Sequence, residues 1–214
     1  MTRLRPYNRR VRAFVWSLLA VLATPAAYGA QRAAAANPAP HSRTEADALD
    51  RKFEDLDERH KTGKVARGQS VLVTESELNS YLNLSLGEKL PRGFSDVAVR
   101  LETERIQATG VLDLEKVRDK MPNLTPLSPL YWLSGRVPVL LRGRVVNDDG
   151  FASIDWEDVR VGNVPVPVSL LHQIVSSTTR SDDYPDGFDI RAPFPLPYSV
   201  RQVRVQPGRA HLDF

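Results

Sequence analysis

Apolar residues recur at changing intervals along the chain, and each interval predicts a different element. Between residues 44 and 62 they are spaced by three and four, which is typical of an amphipathic helix that Thr44 can cap. The apolar positions of this helix are Ala46, Leu49, Phe53 and Leu56. Its other faces carry oppositely charged residues four apart. Two interpretations stay open: a helix that lies on the domain or acts as a stalk, or a helix whose apolar stripe docks a protein partner.

A capping box marks the start of the next helix. Residues 71–73 form a short apolar run that predicts a strand, and Thr74 follows it with Glu77 three positions later. In this motif the threonine side chain accepts a hydrogen bond from the backbone of Glu77, and the glutamate reaches back. The predicted helix presents Leu78, Tyr81, Leu82 and Ser85 on one face and ends near Gly87.

From Val97 onward the apolar interval changes to two, which indicates half-buried strands. Residues 97–101 and 106–114 form one predicted antiparallel pair, and residues 136–147 and 151–161 form a second pair. Asp148-Asp149-Gly150 supplies the turn of the second pair. The alternation slips at Glu157-Asp158, which predicts a bulge with solvated carboxylates.

The last part of the chain mixes both intervals. We expect a helix over 168–178, a brief strand at 188–190, and a closing hairpin of residues 198–206 and 209–214. The predicted fold class is therefore α+β, with antiparallel strands and two to three helices in a domain of residues 65–214.

An N-terminal segment of different character precedes this domain. Residues 13–30 carry no charge, and five arginines stand before them. This arrangement predicts that residues 1–30 are a signal peptide or a membrane anchor, followed by a flexible linker over 31–43. Cleavage and retention both stay open. In either case we expect the body in the periplasm or on the outer face of the cytoplasmic membrane, in contact with the membrane through residues 13–30 if they are retained.

Charge and composition narrow the function classes. The whole chain has a formal net charge of +3, but residues 31–214 hold 24 basic and 26 acidic residues. A body without a basic field is not expected to bind nucleic acid. The chain has no cysteine, which excludes disulfides and thiolate chemistry.

Catalytic motifs are missing from the sequence. There is no hydrolase elbow, phosphate loop or zinc-type histidine pair, so we expect no enzyme activity, no cofactor and no metal. His172 is the histidine beside an apolar helix face. Arg136, Arg142 and Arg144 share one face of a predicted strand, as a solvent-facing row or as contacts for lipid phosphates.

Three stretches carry a resemblance to a known group of proteins. Residues 71–82 fit T-E-x-E-L-N-x-Y-L, residues 161–167 fit V-G-x-x-P-x-P, and residues 196–208 fit L-P followed by V-x-V and a glycine. Segments of this kind occur in the same order in uncharacterised bacterial exported families that resemble the tubular lipid-binding (TULIP-like) superfamily. The resemblance implies a strongly curved antiparallel sheet wrapped around a helix, with an apolar groove for acyl chains and no catalytic residues.

The expected function is non-enzymatic binding of a lipid or another hydrophobic ligand in the cell envelope. The alternative is an envelope scaffold or adaptor with a solid core, which docks a partner through helix 44–62. The residues expected to line an apolar groove would serve equally well in a solid core. They are Leu78, Leu82, Val99, Leu101, Leu112, Val139, Leu141, Trp156, Leu171 and Ile174.

Overall fold

The computed structural model describes residues 41–64, 67–86, 93–117, 134–178 and 185–214. The predicted signal or anchor and residues 31–40 of the predicted linker lie outside them. Within the described residues the fold is α+β, with two antiparallel sheets and four α-helices. The predicted fold class is confirmed to this extent.

The helices are α1 (Arg43–Lys61), α2 (Glu75–Ser80), which continues into a π-helix (Tyr81–Ser85), α3 (Leu114–Val117) and α4 (Val168–Thr178). The strands are β1 (Ser70–Thr74), β2 (Phe94–Glu102), β3 (Arg105–Asp113), β4 (Arg136–Asp148), β5 (Phe151–Val161), β6 (Val164–Pro165), β7 (Phe194–Pro195), β8 (Gln202–Gln206) and β9 (Arg209–Asp213). The large sheet has the order β2-β3-β4-β5-β6, with β7 also paired to β5, and the small sheet has the order β1-β9-β8.

The β4–β5 hairpin closes through a two-residue turn. Asp148 is in register with Phe151, and the turn residues Asp149 and Gly150 both have positive φ, 25° and 89°. A turn with positive φ at both positions matches the twist of the strands it joins, which is why Asp-Gly is favoured there. The predicted hairpin is confirmed.

The bulge predicted near Glu157 is also confirmed. Arg142 is in register with Asp158, and the next residue, Gly143, is in register with Trp156, so Glu157 is the extra residue. A Cβ on Gly143 would lie 2.4 Å from Cγ2 of Ile154, so a side chain at this position would require the strand to shift. A glycine is therefore required where the bulge brings the two strands together.

The carboxylates at the bulge are not simply solvated, and the row of arginines on β4 is paired. Both oxygens of Glu157 accept hydrogen bonds from Nε of Arg105 at 2.9 Å. Across the same outer face, Arg142 donates to Glu102 at 2.7 Å, whereas Arg144 donates to Asp155 at 2.9 Å. Each of these guanidinium groups is matched by a carboxylate, so the outer face of the large sheet does not form a basic patch.

Helix α1 is packed against the domain by its apolar stripe. Ala46, Leu49, Phe53 and Leu56 are all buried. The ring of Phe53 meets Tyr81 of the π-helix edge to face, with centroids 5.5 Å apart. The stripe therefore belongs to the same core as the sheets, and it is covered by the protein itself. The expected Thr44 cap is wrong, because the helix starts one residue earlier and Ser42 occupies the N-cap position.

Helix α2 begins with the predicted capping box and then covers the free edge of the large sheet. Side chains of Glu75, Asn79 and Asn83, which are four residues apart, bond to the backbone of β2. Asn79 accepts from the backbone N–H of Val99 at 2.6 Å and donates to its carbonyl at 2.8 Å. Glu75 accepts from Leu101 N–H at 2.7 Å, and Asn83 donates to the Val97 carbonyl at 2.7 Å. Four edge groups of β2 are thus satisfied without a neighbouring strand: both backbone groups of Val99, the Leu101 N–H and the Val97 carbonyl.

The brief strand expected at 188–190 is wrong, since these residues are irregular. The chain here runs close to α4: a Cβ on Gly187 would lie 1.8 Å from the Ser176 carbonyl oxygen. The Ile190 carbonyl accepts a hydrogen bond from Nε1 of Trp156 at 3.1 Å. The segment's backbone therefore bonds to a side chain instead of a strand, which apolar spacing does not predict.

Candidate functional site: an apolar cavity between the sheets

A cavity of about 90 Å³ lies where the small sheet packs on the large sheet. Helices α1 and α2 contribute one side chain each to its wall, and the remaining lining residues come from both sheets and the segment after β7. The lining residues are Phe53, Val73, Leu78, Val99, Leu101, Ile106, Val145, Ala152, Ile154, Phe194, Leu196, Val203, Val205, Ala210 and Leu212.

Hydrogen bonds hold strand β8 across the end of the large sheet and so form one wall. Asn147 accepts from Val203 N–H at 2.7 Å and donates to the Val203 carbonyl at 3.0 Å. Two residues further along β8, the Val205 carbonyl accepts from Glu104 N–H at 3.0 Å. The alternation of the strand then directs Val203 and Val205 toward the large sheet.

The chemistry of the cavity follows from its lining. Every lining side chain is a hydrocarbon, so the cavity offers no acid, base, nucleophile or metal ligand. Such a surface favours hydrocarbon and penalises any polar group that enters without a hydrogen-bond partner. A cavity of about 150 Å³ with a similar lining holds benzene. The present volume therefore suits a short hydrocarbon segment and is too small for a whole lipid.

The wall of the cavity is not uniformly buried. Val145, Phe194 and Val203 are half-buried, whereas most of the other lining residues are buried. These three lie together: Asn147 binds Val203, and Phe194 is in register with Ala152, which is itself in register with Asn147. The thinnest part of the wall is therefore at the β4–β5 hairpin end. Leu78, on helix α2, is also half-buried.

The residues predicted from sequence to line a groove divide into three groups. Leu78, Val99 and Leu101 line the cavity. A second group is buried in the core without lining the cavity: Leu82, Leu112, Val139, Leu141 and Leu171. Trp156 is half-buried and bonded to the Ile190 carbonyl, and Ile174 lies in α4.

The sequence analysis did not predict that the C-terminal hairpin lines the cavity. Val203 and Val205 on β8 line the cavity together with Ala210 and Leu212 on β9. Their alternation is visible in the sequence and predicts an apolar face on this hairpin. The sequence does not say which other face it meets, because that depends on how the two sheets pack.

Polar candidates lie away from the cavity. Nδ1 of His172 is 3.0 Å from a carboxylate oxygen of Asp189. Partial burial would raise the pKa of Asp189, but hydrogen bonds from the Arg191 side chain and backbone outweigh it and hold that pKa below its usual value. The pair joins α4 to the irregular segment after it.

The described residues contain no group of three or more histidine and carboxylate side chains placed to hold a metal ion. None of their helices combines the length and apolar character needed to cross a membrane. The uncharged segment 13–30 lies outside the described residues.

Comparison of the chain with protein-family models, curated proteins and solved structures found no match. The resemblance to TULIP-like proteins therefore stays a prediction from the three sequence stretches.

Proposed function

We propose that this protein is a non-enzymatic binder of a hydrophobic ligand in the cell envelope, exported or tethered by residues 1–30. The observation that supports it best is the apolar cavity between the sheets, whose lining contains no polar side chain. A purely hydrocarbon lining selects ligands by size and by the absence of polar groups.

The cavity volume limits how much of a ligand it takes. Each methylene transferred into such an environment gains roughly 0.8 kcal/mol. We therefore propose that the terminal segment of one hydrocarbon chain enters, while the rest of the ligand stays outside the cavity.

We also propose that the large sheet is strongly curved toward α1 and α2. Two register shifts support this shape, one in β2 between Ser95 and Ala98 and one opposite Gly143 in β4. Bulges bend and twist the strand that contains them. A curved sheet with β8 across its end would leave the space that the cavity occupies.

The test is a substitution that fills the cavity. Ala210 is a lining residue on β9, and Ala210→Leu would add three carbons into the space. We expect wild-type protein to take up a fluorescent fatty acid and Ala210→Leu to bind it at least about tenfold more weakly, equivalent to the loss of about two methylenes. The measurement is a fluorescence titration, supported by native mass spectrometry of protein purified from membranes.

Ala98→Leu is the matched control. Ala98 lies on β2, and its neighbours Val97 and Val99 are the buried residues of that strand, so its side chain points to the other face. This variant should bind like wild type, and both variants should keep the circular dichroism of the folded protein. Wild-type protein that takes up no fatty acid and carries no lipid would rule out the binder. Equal binding by Ala210→Leu would place the ligand elsewhere.

If the protein is an adaptor, its partner cannot bind the apolar stripe of α1, where the sequence placed the docking surface. Leu49 and Phe53 are buried against the protein's own π-helix and core. A partner that binds α1 would have to contact its charged face, for instance Arg51 and Glu54, which are both exposed. The buried residues Leu112 and Leu141 are consistent with a solid core, but buried residues do not indicate where a partner would bind.

A further inference from the structure

Two neighbouring apolar side chains stand out on the surface. Val146 is 45% exposed and Phe151 is 47% exposed, more than any other large apolar residue in the described ranges. They share the outer face of the β4–β5 hairpin, because Val146 alternates with Asp148 and Asp148 is in register with Phe151. Phe151 is also in register with Pro195, which is exposed too. We call Val146, Phe151 and Pro195 the hairpin-tip patch.

The hairpin-tip patch and the thin part of the cavity wall lie on opposite faces of β5 and β7. Phe151 and Pro195 form one register pair, and the next pair, Ala152 and Phe194, lines the cavity. The patch and the half-buried part of the cavity wall therefore lie at the same end of the large sheet.

Charges around the patch show no excess of basic groups, and the exposed Asp148 lies on the same face beside Phe151. Arg144 is paired with Asp155 at 2.9 Å, and Arg201 is paired with Asp149 at 2.6 Å. A rim without excess positive charge gives no attraction to a strongly acidic partner such as a nucleic acid. An aromatic ring beside aliphatic groups with a polar rim suits the boundary between lipid headgroups and acyl chains.

The length of chain before the structure sets how far the patch can be from a membrane. Residues 31–42 can span at most roughly 40 Å from the end of the uncharged segment to α1. Helix α1 has 19 residues and is about 28 Å long. Its far end contacts Ser199 through His60 at 3.0 Å, and the Arg201 carbonyl nearby accepts from Gly150 in the hairpin turn. The tether is longer than the helix, so the hairpin end can reach the bilayer that holds residues 13–30.

We propose that the hairpin-tip patch docks on a lipid bilayer. In this orientation the thin part of the cavity wall also faces the bilayer. This inference depends on the proposed membrane anchor, and not on ligand uptake. The patch enters the headgroup boundary while the tether keeps the domain close, so a small apolar area suffices.

Because the chain has no cysteine, single labels can be placed cleanly. Val146→Cys and Phe151→Cys carry an environment-sensitive fluorophore in the full chain, reconstituted in phosphatidylcholine vesicles. Leu72→Cys is the matched control, since Leu72 is 40% exposed on the small sheet. In vesicles with brominated acyl chains, we expect labels at 146 and 151 to lose about half of their fluorescence, as for side chains buried ~5–10 Å in the interface, and the label at 72 to keep it.

Flotation of the vesicles is read first. If the full chain does not float, the anchor proposal fails and this inference fails with it. If the chain floats and the labels at 146 and 151 are not quenched, the anchor stands and the docking of the patch is overturned. Equal quenching at position 72 would indicate adsorption without orientation and would overturn it too. A response only after an envelope protein is added would assign the patch to a protein partner instead.

Discussion

Asn79 and Asn147 make the same contact in two places. Each side chain accepts from one backbone N–H and donates to the carbonyl of the same residue, Val99 for Asn79 and Val203 for Asn147. Their surroundings differ, because Asn79 is 8% exposed whereas Asn147 is half-buried. Water can replace the lost partner at Asn147 more readily than at Asn79.

We expect Asn79→Ala to destabilise the fold by about 2–4 kcal/mol, because it leaves a buried donor and a buried acceptor without partners. Asn147→Ala, the control with the same geometry, should cost about half as much. Urea unfolding followed by circular dichroism measures both. Equal losses would show that burial does not decide the strength of these contacts.

At the scale of elements, the burial of the apolar stripe of α1 decides between two roles: packing on its own domain or binding a protein partner. Leu49 is fully buried, so Leu49→Ala should lower the free energy of unfolding by about 3 kcal/mol. Arg51→Ala, on the exposed face, should change it by less than about 0.5 kcal/mol. Chemical denaturation compares the two variants. A nearly neutral Leu49→Ala would mean that the helix stands off the domain and its stripe is free for a partner.

Elements set by local signals were predictable. The capping box at Thr74 and the turn at Asp149-Gly150 depend on residues next to each other in the chain. The inward position of Asn79 was not predictable from apolar spacing, because its polar side chain bonds to a strand that is distant in sequence. The π-helix after Ser80 was not predicted either. Residues four apart in an α-helix drift by about 40°, and a wider turn reduces that drift between Asn79 and Asn83.

For the whole molecule, acid stability depends partly on two ion pairs of the C-terminal region. A hydrogen bond from Arg204 lowers the pKa of Asp213, and one from Arg201 lowers the pKa of Asp149. A carboxylate with a lowered pKa in the folded state adds stability above its ordinary value of 3.8, and that stability is lost as the pH falls through the lowered value.

We therefore expect Asp213→Asn to melt below wild type at pH 6 and to approach it at about pH 2. Thermal unfolding at pH 2, 4 and 6 checks this. Asp155→Asn is a matched control on an exposed pair, and its effect should be small at every pH. A difference between Asp213→Asn and wild type that stays constant with pH would assign the effect to packing and not to ionisation.

The cavity is also a property of the whole molecule, because its lining comes from both sheets and two helices. For this reason the sequence predicted only some of its lining residues. Val99 and Leu101 could be assigned to a buried face from their alternation, and they line the cavity. Leu112 and Leu141 alternate in the same way, but they pack solidly. Alternation says which side of a strand is buried. Whether that side meets a cavity depends on the packing of two sheets that are distant in sequence.

The covering of strand β2 by α2 has a consequence for the protein at high concentration. An uncovered strand at a sheet boundary can recruit strands from other molecules and start a fibre. Here Glu75, Asn79 and Asn83 occupy the backbone groups that such a recruit would need. Polymerisation through the β2 edge would first require α2 to unfold or move away. The helix therefore protects this edge from pairing with another molecule.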